Sequence, residues 1–164
     1  DIVVANAGRG LAGGVVDSDE SQWPELIQTN ILGAGHLMRR AGHYFATRVG
    51  GDIVVVSSVV GRHISPFSGF YGASKFAVSA MTEALRREVC SRGVRVATIL
   101  PGIVVSGFQQ VAGYTEENFG KTVATYGKVL EPHEIAAGVV WLLTLPPHVN
   151  VSEITIRPTG QSYP

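Results

Sequence analysis

DIVVVS, residues 52–57, leads through a breaker-rich loop into FYGASKFAVSAMTEALRREV, residues 70–89, and after Gly93 into VRVATIL, residues 94–100. The two flanking segments are apolar at nearly every position, so strands there would be buried on both faces, as in a parallel sheet covered on each side. Between them Ala73, Phe76, Ala77, Ala80, Met81 and Ala84 recur at three- and four-residue steps, which predicts one buried face of a helix over 70–92. Gly93 suits the left-handed position just past a helix end. Strand, helix and strand in this order make a parallel crossover unit.

The same pattern extends in both directions. Residues 1–5 (DIVVA) read as a strand ended by a turn-rich segment, 6–10, and Leu26, Ile27, Ile31, Ala34, Leu37 and Met38 predict a helix over 21–49 that stops at Gly50-Gly51. Residues 132–145 form a third helix stopped by Pro146-Pro147, and 153–157 a last strand. Alternating strands and helices predict an α/β fold with a mostly parallel sheet, one domain over residues 1–164. Residues 103–130 are polar and irregular, with weak helical signals at 115–125, and read as a lid. Ligands sit beyond the carboxyl ends of strands in such sheets, which singles out Asn6-Ala7-Gly8, Ser57-Ser58 and Pro101-Gly102.

Thirteen basic residues balance thirteen acidic ones across 164 positions, so no electrostatic footprint for nucleic acid or an anionic membrane is present. Cys90 is the one cysteine, which excludes an internal disulfide and a thiolate metal cluster and fits a reducing compartment. The apolar runs fall far short of the ~20 residues of a membrane span, and the chain reads as soluble and cytoplasmic. Its start at Asp1, inside a strand and without Met, is expected to be an internal one.

Gly8-Arg9-Gly10-Leu11-Ala12-Gly13 fits G-x-G-x-x-G after a strand, but a pyrophosphate loop needs a helix opening at the third glycine and an acid roughly 20 positions on. Residues 14–19 lack helical periodicity and 28–32 lack an acid, so the match is read as chance. Tyr71 and Lys75 are four apart at the start of a helix and project from one face. An ammonium beside a phenol favours the phenolate, which makes the tyrosine a usable proton donor and acceptor. Ser58, at the end of a buried strand, brings a second hydroxyl toward Tyr71. Asn30 lies mid-helix among apolar neighbours, where its amide costs stability unless bonded. His36 and His43 share a helix with no third ligand in view, so no metal site is expected; His63, in the loop after Ser58, is read as an ordinary loop residue, with substrate contact the lesser alternative.

Together these residues resemble the short-chain dehydrogenases/reductases: the Asn-Ala-Gly segment at Asn6-Ala7-Gly8, the helix Asn at Asn30, Ser58, Tyr-x-x-x-Lys at Tyr71 and Lys75 (YGASK), and the Pro-Gly turn at Pro101-Gly102 agree in order and spacing. The tail 145–162 is similar to serine/3-hydroxy acid dehydrogenase-type members that use NADP, and 94–105 resembles ribitol dehydrogenase-type members that use NAD. The resemblance implies a Rossmann-like doubly wound parallel sheet with helices on both faces. It also implies hydride transfer between a nicotinamide cofactor, NADP rather than NAD from the tail, and a small secondary alcohol or its carbonyl. In that frame Tyr71 is the general acid/base, Lys75 lowers its pKa and holds the ribose, Ser58 polarises the substrate oxygen, and Asn30 anchors a relay water. Asn6, Ala7 and Gly8 line the adenosine side, while Pro101, Gly102, Val104 and Ser106 border the nicotinamide. Residues 103–130 form the substrate lid, and a homodimer or homotetramer assembles through helices 21–49 and 70–92. Measured against the family, Asp1 aligns with its fourth strand, so an N-terminally truncated domain lacking the first βαβ units is expected. The alternative is a non-catalytic subunit that acts through oligomerisation.

Overall fold

In the computed structural model, which describes residues 1–48 and 50–163 apart from the side chains of Asn118 and Thr122, four strands lie side by side in chain order, each parallel to its neighbours. They are β1 (Ile2–Ala5), β2 (Gly51–Val56), β3 (Val94–Pro101) and β4 (Glu153–Ile156). The register sets Val4 against Val54 and Val54 against Ala97. Successive side chains of a strand alternate between faces, and here both faces are apolar. Ile53, Val55 and Val96 pack with Phe45 and Met38 of α2 (Ala34–Arg48) and with Val78 and Leu85 of α3 (Gly69–Val89). Val54, Ala97 and Ile99 pack beneath Ile135, Val139 and Leu142 of α6 (Pro132–Leu143) on the other face. This is the expected doubly wound α/β arrangement. Each fully buried Phe, Ile or Val contributes roughly 1.5–3 kcal/mol.

Several element ends have local causes. Gly51 adopts φ +147°, and a Cβ there would lie 2.5 Å from the Phe45 ring, so the ring can cover the start of β2 only because the residue is glycine. Glu131 and Glu134 form a reciprocal capping box at the start of α6, where Pro132 fits because the first turn needs no N–H from it. At the far end Arg95 of β3 donates to the carbonyls of Leu143 at 3.1 Å and Leu145 at 2.9 Å and pairs with Asp52 at 2.5 Å, which ties the end of α6 to the sheet.

The first long helix differs from its expected form. It runs over 23–48 but is interrupted: α1 (Trp23–Ile27) passes into a π-helical turn, Gln28–Gly33, before α2 resumes. Its expected end at residue 49 lies outside the described residues. Among the described residues no helix is long and apolar enough to cross a membrane.

Candidate active site

Because the strands are parallel, their carboxyl ends open on one side, and the segments after β1, β2 and β3 converge on a cleft of about 900 Å³. Asn6, Gly8, Pro101, Gly102, Val104 and Ser106 all line it, as do Ser58, Tyr71 and Lys75. Ala7, two residues past the end of β1, is exposed and off the cleft wall.

Tyr71 sits in the first turn of α3 and is 8% exposed. Ser58 caps a short 3₁₀ turn, Val59–Gly61, by accepting from the Val60 N–H at 3.4 Å, and it lines the cleft together with Tyr71. Lys75 follows one helical turn later. Its Nζ donates to the Val56 carbonyl at the end of β2 at 3.1 Å and lies 5.9 Å from the Tyr71 ring centroid. Gly8 makes this possible: a Cβ there would stand 3.3 Å from Nζ and 3.4 Å from Asn30 Oδ1.

Electrostatics correct one expectation. Burial pushes the Tyr71 hydroxyl above the usual tyrosine range, with the Ser58 hydroxyl pulling it part of the way back and Tyr114 adding to the rise. Burial also lowers Lys75 to about 8. The anticipated lowering of Tyr71 by Lys75 does not prevail in this arrangement, because desolvation of the phenolate outweighs an ammonium that is aimed at the Val56 carbonyl.

Asn30 is 1% exposed and does not line the cleft. Its Oδ1 accepts the Arg9 N–H at 2.8 Å, while Nδ2 donates to the Arg9 carbonyl at 2.8 Å and to Ser74 Oγ at 3.0 Å. The amide is therefore a strut between the loop after β1 and α3. His63 is exposed and off the cleft wall. Gly13 continues into no helix but bridges to Ser68 in the loop before α3.

The irregular stretch 103–130 is ordered over the cleft. Its ends are pinched by a bridge between Val104 and Leu130, and between them lie α4 (Phe108–Ala112), a π-helical turn (Glu116–Gly120) and α5 (Lys121–Ala124). Phe108 packs 5.5 Å from the Tyr71 ring, Tyr114 follows at 6.4 Å from Phe108, and Phe119 stacks on Tyr114 at 4.5 Å. Ala12 donates to the Ala112 carbonyl at 2.8 Å, and a Cβ on Gly10 would come within 2.5 Å of Phe108, so α4 rests directly on the loop after β1.

Three lining residues were not legible as site residues. Gln161, 7% exposed, accepts the Ile103 N–H at 2.9 Å; Tyr126 donates its hydroxyl to the Tyr163 carbonyl at 3.1 Å; and Tyr163 donates its own to the Ile64 carbonyl at 2.5 Å. Only the turn residues Pro158 to Gly160 hint in sequence that the tail folds back.

Residues 1–117 match the family model described as short chain dehydrogenase. The chain belongs to this family. Among curated relatives, an uncharacterised oxidoreductase of Staphylococcus epidermidis is 36% identical over 158 residues, 96% of this chain and 64% of the relative, and one of Staphylococcus aureus is 33% identical over the same span. The chain thus spans just under two thirds of the length of these relatives. Among solved structures, the closed form of a serine dehydrogenase complexed with NADP+ superposes with a TM-score of 0.88 at 31% identity, covering 99% of this chain and 66% of the other. An alcohol dehydrogenase from the archaeon Thermococcus sibiricus complexed with 5-hydroxy-NADP gives 0.83 at 30% identity, covering 100% of this chain and 65% of the other.

Proposed function

We propose that this short chain dehydrogenase domain carries the proton-transfer site of an NAD(P)-dependent oxidoreductase that interconverts a small secondary alcohol and its carbonyl. The observation that carries the reading is the convergence of Ser58, Tyr71 and Lys75 on one cleft, with Lys75 one helical turn from Tyr71. The nicotinamide end of a dinucleotide fits the residues present. Lys75 uses one of its N–H groups on Val56, leaving donors for ribose hydroxyls, and the Cβ-free Gly8 keeps the space beside Nζ open. Asn6 and Gly8 would hold the adenosine side, and Pro101, Gly102, Val104 and Ser106 the nicotinamide side. A nicotinamide held there would supply or accept the hydride at the carbinol carbon.

The chain's own residues manage the proton. Ser58 donates to the substrate oxygen and fixes its position. Tyr71, held neutral by burial, gives its proton to that oxygen as a carbonyl is reduced and takes it back as an alcohol is oxidised. The Lys75 ammonium steadies the phenolate left behind. Asn30 acts through Arg9 and Ser74 as a positioning residue, and residues 103–130 serve as the lid that keeps water from the reacting oxygen.

NADP is the favoured cofactor; the NADP-type ligands complexed with both structural relatives support that choice. Association as a homodimer or homotetramer through 21–49 and 70–92 is supported by Leu32, Leu37, Tyr44 and Phe76, which are exposed on those helices. A cytoplasmic setting is supported by the exposed free thiol of Cys90. A fluorescence titration with NADPH and NADH tests the reading directly: micromolar binding that is lost in Lys75→Ala is expected, and absence of binding to both, in the chain and in its full-length form, overturns it.

A further inference from the structure

The geometry points to a neutral, apolar or aromatic secondary alcohol and its ketone as the substrate class, and away from hydroxy acids. This rests on the oxidoreductase reading of the same cleft. On the substrate side of Tyr71 the wall is built by Val59, Phe108, Tyr114, Phe119 and Tyr126, with neutral hydroxyl and amide groups between them. Among the described lining residues the only cations are Arg9 and Lys75. Neither is free to receive a carboxylate. Arg9 pairs with Glu25 and donates to Gln22 at 2.6 Å, so its charge is already met within the protein. Lys75 is held against the Val56 carbonyl beneath the Tyr71 ring, on the strand-end side assigned to the cofactor.

A carboxylate brought to the aromatic wall would give up its water without a counter-charge, an unfavourable exchange. A phenyl or alkyl group meets the opposite situation, since Phe108, tilted against Tyr114, and Phe119, stacked on it, offer an apolar surface of matching chemistry. Discrimination therefore comes from the missing cation as much as from the rings present.

The experiment is saturation-transfer NMR on the full-length protein with 1-phenylethanol and acetophenone against L-serine and 3-hydroxybutanoate, with and without NADP+. The neutral pair is expected to bind at least tenfold more tightly. Val111→Arg, at an exposed lining position of α4, places a cation on that wall and is expected to raise 3-hydroxybutanoate binding about tenfold. Equal or tighter binding of the hydroxy acids by the unaltered protein overturns the inference, as does failure of all four probes to bind. Neutral probes that bind but undergo no NADP(H)-dependent turnover sink the oxidoreductase reading and leave the substrate class standing. Turnover of hydroxy acids alone does the reverse.

Discussion

The side-chain amide of Asn30 grips both the N–H and the carbonyl of Arg9, 21 positions earlier, at 2.8 Å each. The same amide reaches Ser74 Oγ, which donates to the Tyr71 carbonyl at 2.7 Å, so one buried side chain joins the loop after β1 to the turn that carries Tyr71. An asparagine alone among residues of its size can accept from one backbone group and donate to the next in this way.

Asn30→Asp keeps the shape and loses the donor, which sets a carboxylate against the Arg9 carbonyl. Unfolding free energy is expected to fall by roughly 2–4 kcal/mol, at least as much as for Asn30→Ala. Urea midpoints of the three proteins check this, and an Asn30→Asp variant within about 0.5 kcal/mol of the unaltered protein would show that the grip carries no weight.

Tyr71→Phe removes one hydroxyl from a ring that otherwise keeps its packing against Phe108. Carbonyl reduction is expected to slow by about 10²–10⁴-fold while NADPH affinity changes little. Steady-state rates beside fluorescence titration separate the two quantities, and a variant keeping more than a tenth of the rate removes Tyr71 from proton transfer.

Lys75 has a pKa lowered to about 8 by burial, against an ordinary 10.5. Between those values the unfolded chain holds a proton that the folded chain has released, so stability rises with pH; below about 8 both are protonated and the penalty of burying the charge is present in full. Tyr71 opposes this above its ordinary value of 10.0, where the unfolded chain ionises first and stability falls. The rise is therefore readable from about pH 8 to 10. Urea midpoints at pH 7.5, 8.5 and 9.5 should climb in the unaltered protein and stay level in Lys75→Met; a level profile in both contradicts the assignment.

Gly10→Ala places a Cβ 2.5 Å from Phe108 Cζ and 2.6 Å from the Ala112 Cβ. Overpacking of this kind costs about 1–3 kcal/mol, and here it falls between the loop after β1 and α4. The variant is expected to lose stability and to raise KM for a carbonyl substrate more than it lowers kcat. Adding Phe108→Leu should recover part of the loss, and thermal melts of the single and double variants measure the recovery.

The sheet and its order of elements were legible because their causes are local. Two-sided apolar runs such as Ile53–Val55 and the three- and four-residue steps between Ala73 and Leu85 declare strand and helix wherever the chain goes, and the Tyr71–Lys75 spacing of one helical turn puts both side chains on one face before any tertiary contact forms. What sequence could not supply was anything set by partners far along the chain. Asn30 meets Arg9, Phe108 meets Tyr71 and Gln161 meets Ile103 across 21, 37 and 58 positions. Those contacts made Asn30 a strut, packed rings of the irregular stretch 103–130 against one another, and made a tail part of the cleft wall. They also decided the electrostatics: the one-turn spacing of lysine and tyrosine suggests a lowered phenol, yet the solvent removed by the surrounding residues raises it, because burial penalises a phenolate more than this ammonium, turned toward the Val56 carbonyl, can offset.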